Sequence, residues 1–377
     1  MFLYNLKSEM IFSLTERRII MKRLFAVASA LVLIGAVTFI PGRTVSVDDN
    51  SLKVVTTIFP VYDWVREVVG DQTENIDVDM LLDKGVDLHS FQPSADDIME
   101  ISTCDVFVYV GGESDAWVHD ALGEATNKDM KVINLLEVLG SGAREEELVE
   151  GMEGGHDHDH EDGEDHDHED DEDHEDEDHD HEDGEDHDHE DEDHDHEDGE
   201  LDEHVWLSLR NAEIFVNTIA GVLGEADPGH AADYTANAAA YNEKLETLDK
   251  AYQDAVKAGS TDTVLFADRF PFRYLVDDYD LDYYAAFSGC SAETEASFKT
   301  IIFLADKVNE LGLRTILTIE GSDSSLAETV RESSEAKDQQ IAEMNSMQNT
   351  AADDVENGVT YLAIMEENLE VLKAALQ

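Results

Sequence analysis

Basic residues are scarce in this chain, with 24 lysines and arginines against 90 aspartates and glutamates and a net charge of −66. That balance excludes nucleic acid and anionic membrane surfaces as partners and favours cations. Cysteine is nearly absent. The two present, Cys104 and Cys290, lie in different halves, at the start of one expected strand and the end of another, which disfavours the close approach a disulfide needs. Proline is rare too, at five residues, and Pro60 and Pro228 each open a helical stretch. The sequence also lacks an HExxH pair, a nucleophile elbow and a phosphate loop, which leaves a metal-dependent hydrolase without its usual machinery.

One long apolar run is present. Lys22 and Arg23 precede Leu24 to Ile40, followed by Pro41-Gly42 and polar sequence. This is the layout of a secretory signal or an uncleaved anchor, and Met21 just before it suggests the natural start. Ala36, after Leu33-Ile34-Gly35, stands where a lipoprotein would carry cysteine. The chain is therefore expected to be exported, facing the outside of the cell membrane or the periplasm, touching membrane only through residues 1–50.

Residues 156–200 contain only histidine, aspartate, glutamate and glycine, with 12 of the 16 histidines and 30 of the 90 acids. EDHDHED occurs at 164–170, 185–191 and 192–198. With no apolar side chain to bury, such a segment is expected to be disordered when free. A solvated acidic linker would need no histidine at every second or third position. Imidazole suits zinc, copper and nickel and carboxylate suits harder cations, so the tract reads as a set of weak metal sites. His156, His158, His160, His166, His168, His187, His189, His194 and His196 are the candidates. Setting the tract aside leaves 60 acids against 24 bases, still about −36.

The remaining sequence alternates strand and helix patterns. Lys53–Ile58, Ile76–Leu82, Asp105–Val110 and Lys131–Leu135 read as strands, with helices over Val61–Gly70 and Ala95–Ser102 between them. Asn211–Leu223 reads as a helix, and a second, starting at Asp227-Pro228, runs to about Ala258. The alternation then resumes: strands TVLFAD, DYYAAF and Arg314–Glu320, helices to Tyr279 and over Glu293–Leu311, and a closing helix Thr360–Leu376. The pattern predicts an α/β protein of two similar lobes, each a mainly parallel sheet flanked by helices, joined by one long spine helix. The expected divisions are 1–50 leader, 51–145 first lobe, 146–201 His/Asp/Glu-rich loop, 202–258 connecting helices and 259–377 second lobe. Parallel sheets bind ligands beyond the carboxyl ends of their strands.

Three landmarks then carry a resemblance. Gly85-Val86-Asp87-Leu88-His89-Ser90-Phe91-Gln92-Pro93-Ser94, Asp202-Glu203-His204-Val205-Trp206-Leu207-Ser208 and Gly289-Cys290-Ser291-Ala292-Glu293-Thr294-Glu295-Ala296-Ser297 stand in order. They resemble the GxxPHxxxPS, DPHxWLS and GISPExEPS segments of the solute-binding proteins of zinc and manganese ABC transporters. An acidic, His-rich loop before the second segment is similar in that family. The resemblance covers about residues 53–377. It implies a monomeric extracytoplasmic receptor, not an enzyme, that holds one Zn2+, or less favourably Mn2+, between its lobes and delivers it to an ABC permease. The competing reading is an extracellular metal buffer or adhesion protein with no transport partner.

Metal ligands follow from the same resemblance. His89 and His204 occupy the histidine positions of the first two segments. Aligning Phe266–Phe272 on Phe270 puts Ala267, which coordinates nothing, at the family's third ligand position, with Asp268 adjacent. Ile319–Asp323 occupies the stretch expected to give an acidic contact, so Glu320 or Asp323 is a candidate. Glu113, after another strand, is a further carboxylate at the same sheet edge. Two imidazoles with carboxylates would suit manganese, and the His-rich tract favours zinc. Trp206, Tyr283, Tyr284 and Phe287 are read as packing.

Overall fold

The computed structural model describes residues 51–71, 76–153, 200–291 and 295–377. The leader, the tract histidines from His156 to His196 and the Glu293 helix start expected from sequence lie outside the described residues. Residues Ser51–Gln377 form one unit, and no helix among the described residues is long and apolar enough to cross a membrane.

Two four-stranded sheets organise that unit. The first runs β2 (Ile76–Met80), β1 (Leu52–Thr56), β3 (Val106–Tyr109), β4 (Lys131–Asn134). The second runs β6 (Asp282–Ser288), β5 (Thr263–Phe270), β7 (Thr315–Ile319), β8 (Gln340–Met344). Every pairing is parallel. In both lobes the first strand sits between the second and the third, so each sheet reverses its winding at one place and opens a crevice there. The expected pair of parallel α/β lobes is what the chain forms.

Short-range chemistry sets the helices. Between β1 and β2, α1 (Phe59–Val69) starts on Pro60, whose missing N–H costs nothing in a first turn. The next helix, α2 (Ala95–Thr103), is held by a capping box between Ser94 and Asp97. Helices α3 (Val118–Gly123) and α4 (Leu135–Leu139) complete the first lobe. Ser208 caps α5 (Leu209–Ala226) by accepting from the Asn211 N–H. The spine α6 (Ala231–Ala258) has 28 residues, about 42 Å at 1.5 Å per residue. It begins after His230, not at Pro228, because Asp227 ends α5 and binds both His230 and Tyr234 (2.6 and 2.7 Å).

In the second lobe α7 (Arg273–Tyr279) follows β5, and α8 (Phe298–Leu311) follows β6. Ser297 provides the N-cap of α8 by accepting the Thr300 N–H. Then come α9 (Ser325–Ser333), α10 (Ala352–Glu356) and the closing α11 (Tyr361–Ala375). One buried cluster runs from Val54 through Trp64, Trp206, Phe215 and Tyr252 to Tyr361, joining both lobes to the spine. A smaller one fills the far side of the second sheet around Leu265, Ala267 and Ile316.

The second sheet holds one strand more than the sequence pattern predicts. β8 was not expected; its sequence QIAEM is half polar and mostly part-exposed, as suits an edge strand, so it carries no continuous apolar run. Several described residues in and beside the loop expected over 146–201 have partners. Arg144 donates its N–H to Tyr274 Oη, Glu145 pairs with Leu201, and Glu153 donates its N–H to Ala286 O. The Glu153 carboxylate also accepts from Ser297 N–H at the α8 N-cap and from the Thr300 hydroxyl. Cys104 and Cys290 are free.

Candidate metal centre

His89 lies in a single 3-10 turn, Leu88–Ser90, after β2, where Asp87 accepts its backbone N–H at 3.0 Å. His204 opens another such turn, Val205–Leu207, where Asp202 accepts its N–H at 2.8 Å. An aspartate two residues upstream thus fixes each histidine locally. Long-range contacts bring the turns together. Trp206, fully buried, donates Nε1–H to Ser346 O (2.8 Å) and accepts Tyr361 Oη–H at its carbonyl (2.7 Å). The His204 turn is thereby tied to the loop after β8.

The two imidazoles meet at their Nε2 atoms, 3.2 Å apart. A tetrahedral zinc with Zn–N bonds of 2.0–2.1 Å needs a separation of about 3.3 Å, so the pair is spaced for a shared ion. The opposite ring nitrogens are engaged. His204 Nδ1 is 3.0 Å from Asp202 Oδ1. His89 Nδ1 is 2.8 Å from Ser114 Oγ and 3.5 Å from Glu203 Oε2. Oε2 is buried without a hydrogen-bond partner of its own among the described residues, while Ser114 N–H donates to Glu203 Oε1 at 2.8 Å. With Asp202 behind one ring and Ser114 and Glu203 behind the other, the Nδ1-protonated tautomers leave each Nε2 lone pair facing inward.

Two further side chains converge on this point. Cys290, after β6, forms with His89 and His204 a group whose ligand atoms lie within 4.8 Å of one another. Gln348, after β8, places its side-chain amide 2.8 Å from His204 Nε2 and 3.0 Å from His89 Nε2. Gly289 is required beside them: a Cβ there would come within 2.8 Å of His204 Cε1 and 2.9 Å of Phe270 O. Gly112, at φ +83, gives way to the Glu203 carboxylate in the same fashion.

Charge around the rings is uneven. Burial lowers the His89 pKa, the His204 imidazole and the Arg269 guanidinium push it further down, and Asp87 opposes them. Burial also works against charge on His204, but Asp202, Glu203 and Glu146 outweigh it and raise that pKa. The pair therefore takes its first proton on His204. The Cys290 thiol is pushed far up by burial and by Glu146, Asp202 and Glu203. This donor set is two imidazoles, a thiol and an amide, with carboxylates behind it, and it fits a borderline divalent ion such as zinc.

The four carboxylates considered from sequence do not join the histidines. Glu320 accepts Ser346 N–H (2.7 Å), Ser346 Oγ–H (2.6 Å) and Gln348 N–H (3.1 Å), so it shapes the loop that carries Gln348. Asp268 accepts the N–H groups of Arg269 (2.9 Å) and Ile319 (3.3 Å), tying the end of β5 to β7. Asp323 caps the Ser325 N–H at the start of α9, and Glu113 is exposed. Ala267 is buried in the second core cluster. A register shift in β5 between Phe266 and Arg269 turns Arg269 toward the first lobe, where it pairs with Asp87 at 3.0 Å.

Sequence reasoning missed Cys290 and Gln348 as neighbours of the two histidines. Cys290 carries a signal, a soft ligand just after a strand at the ligand edge and inside the third of the family-like segments. Gln348 had none, because β8 was not read. Asp202→Ala is expected to weaken divalent-metal affinity by about 10–100-fold, the usual cost of removing a ligand's orienting partner. Competition against a chromophoric chelator measures it, and unchanged affinity would mean that Asp202 does not orient His204.

Residues 54–375 match the family model described as zinc-uptake complex component A, periplasmic. The chain is 31% identical over 325 residues to the zinc-binding protein AdcA of Streptococcus pyogenes, covering 86% of this chain and 56% of that protein. It thus spans about half the length of such curated relatives. It is 27% identical over 355 residues to the high-affinity zinc uptake system protein ZnuA of Bacillus subtilis, covering 94% of this chain and 97% of that one. Among solved structures, the Zn(II)-bound ZnuA-like domain of Streptococcus pneumoniae AdcA superposes with TM-score 0.61 at 26% identity, over 86% of this chain and 99% of that domain.

Proposed function

Because the chain belongs to the zinc-uptake complex component A family, we propose that it is an exported receptor that binds one Zn2+ between its lobes and hands it to an ABC permease. The zinc ion is cargo, and nothing is transformed, so the protein is not an enzyme. The observation that carries the reading is the 3.2 Å approach of the His89 and His204 Nε2 atoms with both Nδ1 atoms held by oxygen partners. Names among the relatives that include periplasmic and lipoprotein agree with export.

Cys290 and Gln348 supply the remaining donors in this reading. A thiolate and two imidazoles select zinc over manganese, which prefers oxygen. The His/Asp/Glu tract, whose flanks pair at Glu146 and Glu200 (2.7 Å), gathers metal weakly and passes it inward. Deleting 156–200 is expected to remove several weak sites and leave one tight site, with calorimetry counting both. Loss of the tight site together with the weak ones would overturn this division. Uptake of zinc by cells lacking the gene, restored by the natural protein and not by His89→Ala, tests the transport role; full restoration by His89→Ala would end it.

A further inference from the structure

The amide of Gln348 is the least settled group in the centre, and proton counting shows why. Its Nε2 faces both imidazoles, at 2.8 and 3.0 Å. Each ring's Nδ1 faces an oxygen partner, so with both rings neutral and protonated on Nδ1 each Nε2 offers a lone pair and the two amide hydrogens find one acceptor apiece. The other end is poorly served. Oε1 lies 3.0 Å from Ser346 Oγ, but that hydroxyl is also 2.6 Å from Glu320 Oε1. One hydroxyl proton cannot serve two acceptors, and the shorter, charge-assisted contact to the carboxylate takes it. Gln348 Oε1 is left facing an oxygen.

Turning the amide over about its last torsion reverses this balance without moving the backbone, since its two ends have nearly the same shape. The NH2 group would then donate to Ser346 Oγ, which keeps its own proton on Glu320. Oε1 would face the point between the imidazoles. Three lone pairs around one point repel one another unless a positive charge sits among them. An NH2 group, by contrast, has no lone pair to give a cation. The arrangement with nitrogen inward suits the imidazoles by themselves, and the arrangement with oxygen inward suits a bound ion.

We propose that Gln348 is a two-position amide whose half-turn accompanies loading. With nitrogen inward it bridges His89 and His204 and keeps their Nε2 atoms in register. With oxygen inward it becomes a neutral oxygen ligand to a divalent cation, and Ser346 and Glu320 receive the displaced N–H. A neutral oxygen in place of a carboxylate also leaves the ion less tightly held, as suits cargo that must be released. This inference rests on the reading that zinc binds between His89 and His204, and it adds the residue that sets the affinity of that site.

The test uses 15N-labelled protein lacking 156–200, with the Gln348 side-chain signals assigned by their loss in Gln348→Ala. In chelator-treated protein, at a pH alkaline enough to keep His204 neutral, two-bond nitrogen–nitrogen couplings are expected between Gln348 Nε2 and the His89 and His204 Nε2 atoms. One equivalent of zinc should abolish them while calorimetry on the same sample records binding. Couplings absent before zinc, or persisting after zinc has bound, would overturn the half-turn alone. No zinc binding at all would overturn the receptor reading and the half-turn with it. Gln348→Glu gives a second measure: it keeps an oxygen ligand, adds charge and removes the bridging N–H groups, so zinc affinity should rise by about tenfold or more. An unchanged or weaker affinity counts against the proposal.

Discussion

Replacing His204 by alanine is expected to abolish tight zinc binding in protein lacking 156–200, with affinity falling by more than about 100-fold, beyond the cost of losing an outer partner. The ring is fully buried, its Nδ1 is fixed by Asp202, and no other described imidazole is placed to replace it opposite His89. The substitution also takes the imidazole from the buried Asp202 carboxylate, which keeps only the backbone N–H of residue 204 among these two contacts, so some loss of stability is expected. Thermal unfolding and metal titration separate the effects: a folded variant that still binds one zinc tightly would dismiss the site. His89→Ala should cost nearly as much in affinity and less in stability, since His89 is only part-buried.

Acid is expected to weaken binding steeply. A zinc ligand must be deprotonated. The His204 pKa is raised above its ordinary value of 6.5, and the Cys290 thiol is raised from 9.0. Below the His204 pKa both groups carry a proton that must leave when the ion binds. Affinity should therefore rise by about two decades per pH unit there, and by about one decade above it, where only the thiol still releases a proton. His89, lowered to about 3, is already neutral across this range. Cys290→Ser should reduce the steeper slope to about one decade. A slope near one in the natural sequence would mean that the thiol stays out of the coordination sphere. Protein lacking 156–200 is the right sample, because the tract's own imidazoles titrate against metal.

The fold was legible because its signals are local. Strand runs such as Val54–Thr56 and Val106–Tyr109 are continuously apolar or β-branched, as a sheet covered on both faces requires. Caps at Ser94, Ser208 and Thr360 mark helix starts within three residues of the side chains that make them. The edge strand β8 escaped notice because an edge needs no such run. His89 and His204 were legible only as members of ordered segments, since a single histidine carries little information by itself.

What the sequence determined alone is the pair of parallel α/β lobes, the long connecting helix and the acidic charge, with two histidines as candidates. Tertiary structure decided which other groups face them. A one-residue change in strand register sends a side chain to the opposite face of a sheet, and the shift within β5 buried Ala267 while sending Arg269 to Asp87. The loop that carries Gln348 is set by Glu320 and Trp206, far from it in sequence. Ligand geometry comes from contacts between distant segments, and residue spacing does not encode them.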